Sequence, residues 1–381
     1  MKIIQTPARF PPYVGGVEQY TYILSKKLVE RGHDITVICA DEPAGEPPRE
    51  TYDGIDVVRL DYIGKIADTN LTSKIPIKLY RELQNADIIH THLPTPWTAD
   101  VSALIASLTG TSSVVTYHND ICGSGVAKYL ANLYNATAMQ VTLSMVDRII
   151  TTQESYFNNS NIPSWFEDKV TTIRNGVNVE RFKPIDVNDG TAREYGFDPE
   201  NTNLFFLSVL DEYHDYKGLE NLLEAVRKLP QEYRLVVGGD GPKREYYEQR
   251  ARELKLHNRV HFAGYIENDE LPEYYNSSDV FVLPSTSSRQ EGFGLVLLEA
   301  LACGIPVVTT DVVGISKDVR NQDLGFVISS PCPSKISDSI STLTSEKVDF
   351  NSDRARAVCI DKYSWESAVT QMEDLYTHLL S

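Results

Sequence analysis

Cysteine is scarce in this chain of 381 residues. The five present, Cys39, Cys122, Cys303, Cys332 and Cys359, are scattered and show no C-x-x-C spacing. Neither a disulfide framework nor a zinc knuckle is expected, and a reducing compartment fits. Positive charge is also short: 36 Lys and Arg face 53 Asp and Glu, for a net charge of −17. Such a surface disfavours polyphosphate backbones, so no nucleic-acid partner is expected. No run of 18 apolar residues occurs, which excludes a membrane-spanning helix. The opening "MKIIQTPARFPP" lacks the apolar stretch of a signal peptide. A cytoplasmic protein is expected. What remains is an ordinary globular composition, 41% apolar and 23% charged, in a chain too long for one core. Two domains follow.

Short β-branched runs alternate with longer helical patterns. The strands of the first half read "KIIQ", "ITVIC", "IDVVRL", "ADIIH", "SVVTY", "DRIITT" and "VTTI"; those of the second read "LFFLSV", "YRLVVGG", "RVHFAG", "DVFVLP", "PVVTT" and "GFVI". Gly16–Arg31 has apolar residues at helical spacing and "GH" as its stop. Strands apolar on both faces and interleaved with helices mean parallel sheets covered on each side. The fold class is therefore α/β, with two doubly wound, Rossmann-like domains. The break is expected near Asn178–Ala192, where Pro, Gly and Asp interrupt the periodicity. The Ser-rich piece "PSKISDSISTLTSEKVD" reads as surface, and "SWESAVTQMEDLYTHLL" as a separate amphipathic helix.

Ligands of open parallel sheets bind beyond the carboxyl ends of the strands, so the loops leaving the strands carry the chemistry. Gly15 and Gly16 precede a helix, where bare backbone N–H groups suit an anion or a sugar oxygen; a purely geometric turn would need the same residues. His90, His92 and His118 stand at strand ends. His118 is a candidate acid–base group, though a strand-end histidine also serves as a structural hydrogen-bonding group. His90 and His92 share a face but no third metal ligand accompanies them. Lys217 opens a helix, an odd place for a cation unless an anion sits between it and the helix dipole; the alternative is an exposed lysine. The "GGDGP" segment brings Gly239 and Gly241 to another strand exit. "SRQEGFG" leads with Glu291, Gly292, Phe293 and Gly294 into a helix whose run "LVLLEALACG" contains Glu299. A lone carboxylate there costs several kcal/mol. A distant cation, water, or a ligand with vicinal hydroxyls would each relieve it.

These segments resemble the retaining glycosyltransferases of family 4, with the two-domain GT-B fold. Two glutamates separated by seven residues, with "EGFG", "EALACGIPVV" and the supporting "GGVE", "VVTYHND", "IRNGVNVERF", "YKGL", "GGDGP" and "YSWE", carry the resemblance across almost the whole chain. It implies an acceptor-binding domain over 1–182, a nucleotide-sugar domain over 183–362, and a helix over 363–381 that returns to the first, with an interdomain cleft. It implies that Glu299 holds the donor ribose and that Glu291 contacts the donor sugar. Gly292, Phe293 and Gly294 grip sugar and phosphate through their backbone. Lys217 faces the diphosphate, Gly15 and Gly16 close over it, and His118 lies by the sugar.

One departure stands out. The family's usual Arg before the Lys is replaced by Val209, with a longer gap to Lys217, and His214 is a candidate for the missing charge. No D-x-D triplet occurs, so no metal or other cofactor is expected, with leaving-group charge met by Lys217 and helix N-termini. The expected activity is transfer of a hexose from a UDP- or GDP-sugar to a glycan or lipid-linked acceptor. A small-molecule acceptor, a sugar-nucleotide epimerase and a non-catalytic sugar-nucleotide binder are the alternatives. Lys65–Leu83, with Lys65, Lys74, Lys78 and Arg81 among apolar residues, is either a surface for peripheral membrane contact or an ordinary loop and helix.

Overall fold

Valine and isoleucine crowd the strand runs because both faces of each sheet are covered. In the computed structural model, Ile3, Ile4, Val37, Ile38, Ile88 and Val236 are all fully buried. The structure describes residues 1–13, 15–66, 69–121, 125–152, 157, 160–288, 290–291, 293–345 and 350–381. The described chain divides into two units, Met1–Arg174 with Ala368–Ser381, and Asn175–Ser367.

The amino-side unit holds an eight-stranded sheet. Its strands are β1 (Lys2–Thr6), β2 (Asp34–Ala40), β3 (Arg49–Tyr52), β4 (Ile55–Leu60), β7 (Ile88–Leu93), β8 (Ser112–Tyr117), β9 (Arg148–Thr151) and β10 (Val170–Thr172), in the order β10-β9-β8-β7-β1-β2-β4-β3. A separate two-stranded ribbon pairs β5 (Lys65–Ile66) with β6 (Thr69–Asn70). All pairs of the large sheet are parallel except β3 with β4. β3 was not expected from the sequence: its "RETY" is mostly exposed and carries no apolar signal. One face of the sheet packs Ile4, Ile38 and Ile89 against Val101 and Ile105 of helix Thr98–Thr109. Gln5, His90 and His92 occupy alternate positions to Ile4 and Ile89, and so face the other way.

The carboxyl-side unit holds β11 (Thr202–Leu207), β12 (Tyr233–Gly238), β13 (Val260–Gly264), β14 (Val280–Leu283), β15 (Val307–Thr310) and β16 (Gly325–Ile328). Their order is β13-β12-β11-β14-β15-β16, all parallel. The six strand runs read from the sequence are these six strands.

Two expectations need correction. The Ser-rich piece is not surface throughout: Pro333–Leu343 is a helix whose Ile336 and Ile340 are fully buried. Burying each contributes about 1.5–3 kcal/mol, enough to fix a short helix that is otherwise mostly polar. The chain also leaves the first unit at Arg174 rather than near 182, and re-enters it at Ala368 rather than at 363. Val177 N–H donates to Tyr363 O at 2.6 Å. Phe182 belongs to the second core, and the Arg356 guanidinium donates to Val179 O and Phe182 O. These contacts bind 175–182 to the carboxyl-side unit. The last helix, Trp365–Leu380, opens beside Gly176 and ends in the first unit.

Candidate active site

In both sheets the strand order reverses once, between β1 and β7 and between β11 and β14. Ligands of doubly wound sheets bind outside the carboxyl ends of strands at such a point. Gly15, Gly16, Lys217, Glu291 and Glu299 follow strands of these reversals, while His118, Gly239 and Gly241 leave the next strands out, β8 and β12.

In the carboxyl-side unit, β11 runs out to the 3-10 turn Glu212–Lys217, and neighbouring β14 runs out to Ser285 and Glu291. Gly218 has φ +83, and a Cβ there would lie 2.2 Å from Pro284 O, so only glycine lets the two exits meet this closely. The Lys217 Nζ then sits 3.0 and 2.8 Å from the two carboxylate oxygens of Glu291. Ser285 Oγ donates to Glu291 Oε2 at 2.6 Å. Ser285 and Glu291 are buried, and Lys217 is half-buried. An ammonium has three protons and two point at Glu291, which leaves one for an incoming anion.

Glu299 lies apart from this pair, on helix Leu295–Ala302. Its partner is Tyr275, whose hydroxyl donates to Oε2 at 2.7 Å. Burial pushes its carboxyl up to about 7, while the Tyr275 hydrogen bond and the charge of Arg181 pull the other way. Arg181 Nε and Nη2 are buried and meet no hydrogen-bond partner among the described residues. So the apolar run holds a carboxyl poised between charged and neutral, with a phenol beside it and a cation nearby. Gly294 caps this helix without any side-chain bond, and the N–H groups of Leu295 and Val296 meet no acceptor among the described residues. Phe293 is buried against Tyr363, ring centroids 5.7 Å apart; its part in a site is through its backbone. Gly292 lies outside the described residues.

Gly239 and Gly241 follow β12. A Cβ on Gly239, at φ +110, would lie 1.8 Å from Ser208 O, which explains the glycine without a ligand. Val209 is exposed. His214 Nδ1 lies 2.7 Å from Asp211 Oδ1. A further ammonium, missed in the sequence, stands close by: Lys243 reaches Asp215 at 2.5 and 2.6 Å. The longer loop thus brings its own carboxylates along with the lysine it meets.

In the amino-side unit, Gly15 is the N-cap of helix Gly16–Glu30, with no side-chain cap. A Cβ on Gly15 would lie 2.3 Å from Glu18 Oε2, so the Glu18 carboxylate folds back over this helix N-terminus. A Cβ on Gly16 would meet nothing within 4 Å. At β7 and β8, the rings of His90, His92 and His118 form a stack. Adjacent centroids are 4.7 and 5.4 Å apart, and both pairs are tilted by 25°. Burial pushes His90 and His118 down to about 3 and His92 well below its ordinary value, so all three are neutral near pH 7. His118 as a proton donor is therefore disfavoured; as a neutral ring it is a hydrogen-bonding group. Ser285, Tyr275 and Lys243 could not be singled out from sequence, because their relevance comes only from partners brought to them by the sheets.

Residues 192–361 match the family described as "Glycosyl transferases group 1", and residues 14–181 match "Glycosyltransferase Family 4". A D-rhamnosyltransferase from Pseudomonas aeruginosa is 31% identical over 320 residues, covering 83% of this chain and 79% of the relative. The N-acetyl-alpha-D-glucosaminyl L-malate synthase of Bacillus anthracis is 28% identical, covering 97% and 95%. A protein of Anabaena, solved in complex with UDP, has the same fold at TM-score 0.79 and 19% identity, covering 99% of this chain and 100% of its own. The Lys217–Glu291 pair and Glu299 thus stand in a chain whose two halves each match, and it belongs to the group 1 glycosyltransferases, enzymes of the GT-B fold.

Proposed function

We propose that this enzyme transfers a hexosyl group from a UDP- or GDP-sugar to a glycan or lipid-linked acceptor, with retention of anomeric configuration and without a metal ion. The carboxyl-side unit holds the donor and the amino-side unit holds the acceptor. The observation that carries the reading is the Lys217–Glu291–Ser285 cluster at the strand reversal.

The bond between the anomeric carbon and the diphosphate breaks, and the acceptor oxygen bonds that carbon. Negative charge grows on the leaving diphosphate, and the acceptor proton leaves with it. The remaining Lys217 proton and the uncapped helix at Gly294 suit that charge. Glu299 accepts hydroxyl donors of the ribose; it keeps a lone pair for them beside Tyr275. Glu291 binds rather than attacks: Lys217 holds both its oxygens and Ser285 holds one, so its basicity is already spent. His118 accepts a hydroxyl of the donor sugar.

An acceptor at a cytoplasmic membrane face is favoured by Ile63, just before the segment 65–83, and by Ile66, Ile77 and Tyr80 among its lysines, all of them exposed. Those lysines are not loose cations, since Lys65, Lys74 and Lys78 pair with Glu42, Asp61 and Glu82. Apolar contact is therefore the larger part of any such adsorption. Among the described residues no helix is long and apolar enough to cross a membrane.

A thermal-shift screen against UDP-, GDP- and ADP-sugars tests the donor. At a hundred times Kd the true donor stabilises by about 2.7 kcal/mol. Transfer of labelled sugar to a lipid or glycan extract in EDTA tests the rest. An epimerised donor without acceptor, a need for free phosphate, or a strict metal requirement would each replace this reading.

A further inference from the structure

The histidine stack has a direction, and the direction can be read from one group that cannot donate. Val17 O only accepts. Thr21 Oγ1 lies 2.8 Å from it, so the threonine proton is spent there. The Thr21 oxygen also lies 3.2 Å from His92 Nε2, and toward that nitrogen it can only accept. Gln5 Oε1, 3.0 Å from the same nitrogen, is a second acceptor. His92 therefore carries its proton on Nε2 and is bare at Nδ1.

His118 Nε2 lies 3.2 Å from that bare Nδ1, so it is the donor of the pair. A neutral imidazole has one N–H, so His118 Nδ1 is an open lone pair. It meets no hydrogen-bond partner among the described residues. The far end of the stack points the same way. With its oxygen turned to His92, Gln5 offers Nε2 to His90 Nδ1 at 3.5 Å. The Tyr376 hydroxyl, at 2.6 Å, donates to the single lone pair of that nitrogen, to which the Gln5 contact is long and secondary, and His90 Nε2 then donates to Thr116 Oγ1 at 2.7 Å. The Tyr20 ring stands edge-on to His118, centroids 4.8 Å apart at 79°, and His118 N–H donates to Leu93 O at 2.9 Å, so ring and backbone are both held.

We infer that His92 is a positioning residue: it fixes His118 in the Nε2–H tautomer and so presents the bare Nδ1 as an acceptor, which selects a donor sugar with a hydroxyl at that point over one with a carboxylate. A hydroxyl brings a proton to the lone pair. A hexuronate carboxylate brings only lone pairs and a charge, and is rejected. The selectivity rests on His118 facing the donor sugar, as proposed above; the tautomer does not.

The test reads the two separately. Long-range 1H–15N spectra of histidine-labelled protein report, without any ligand, which nitrogen of each ring is bare. The expected wild-type result is a bare Nδ1 on His118. His92→Phe keeps a flat ring but removes the acceptor, and frees His118 to exchange tautomers; His92→Asn restores an acceptor oxygen and part of the fixed state. With UDP-glucose or GDP-mannose, whichever the donor screen selects, His92→Phe lowers kcat/KM about three- to tenfold, the worth of one neutral hydrogen bond. The discrimination against UDP-glucuronate narrows by a similar factor, and affinity for the free nucleotide stays unchanged. A proton found on Nδ1 of wild-type His118 overturns the inference even if every variant fails to fold, as does a folded His92→Phe protein whose His118 tautomer is unchanged. A His118→Ala enzyme with undiminished transfer overturns instead the placement of His118 at the sugar.

Discussion

The histidine stack of the amino-side unit and the two glutamates of the carboxyl-side unit handle desolvation differently. His90, His92 and His118 give up their charge and pass hydrogen bonds along a stack. Glu291 keeps company with a cation, while Glu299, which among the described residues meets a phenol and a more distant guanidinium, is left balanced near neutrality. A neutral network positions a ligand by the direction of its donors. A charged pair meets charge that develops during a reaction.

The comparison can be broken most sharply with acid. His90 in the folded protein lies at about 3, below the ordinary 6.5. The unfolded chain then binds protons first as pH falls, so stability is full above about 6.5 and drains below it. For His90 alone the loss is about 1.4 kcal/mol per pH unit near pH 5, and His92 adds to it in the same direction. Hydrogen exchange at neutral pH and at pH 5 is expected to show peptides of β7 and β8 opening well before those of β11 and β14. Equal protection in both units would remove the contrast.

The next effect is catalytic. Lys217→Ala should lower kcat about 100- to 1000-fold with an intact fold, since under the proposed mechanism it removes the cation that meets the leaving group's charge. Initial rates with the selected donor check this, and a variant of equal activity would take Lys217 out of the site. Glu299→Ala should then weaken donor binding by about 1–3 kcal/mol, the worth of lost hydroxyl contacts, as measured by calorimetry. Unchanged affinity would leave Glu299 a structural partner of Tyr275 alone.

The smallest effect has the opposite pH sense to the first. Glu299 at about 7 lies above its ordinary 4.5, so its contribution to stability is present below about 4.5 and lost as pH rises through 7. Glu299→Gln, always neutral, should match the wild type near pH 4.5. At pH 8 it should exceed it by about 1–2 kcal/mol, the carboxyl being partly open to water. Melting curves at the two pH values would sharpen the comparison or erase it.

Much of this was readable before any coordinates. Thirteen strand runs and the Glu291–Glu299 spacing follow from periodicity and motif, because buried parallel strands have a near-continuous apolar signal. The misses share a cause. Tyr275 stands 24 residues from Glu299 on another helix, and nothing in "LPEYYN" says which of its two buried tyrosines meets the carboxylate. Helix Pro333–Leu343 was hidden by its serines, although Ile336, Ile340 and Leu343 are at helical spacing. The unit boundary escaped because Val177 pairs with Ser364, a contact across most of the second unit's length.

Tyr376 gives the molecule an order of assembly. It is fully buried, at the root of the histidine stack, yet it emerges from the ribosome after every residue of the carboxyl-side unit. During synthesis the first unit must wait, its stack open at one end, while the second is made and folds. A stop codon late in the gene would thus strike the half of the protein that was translated first.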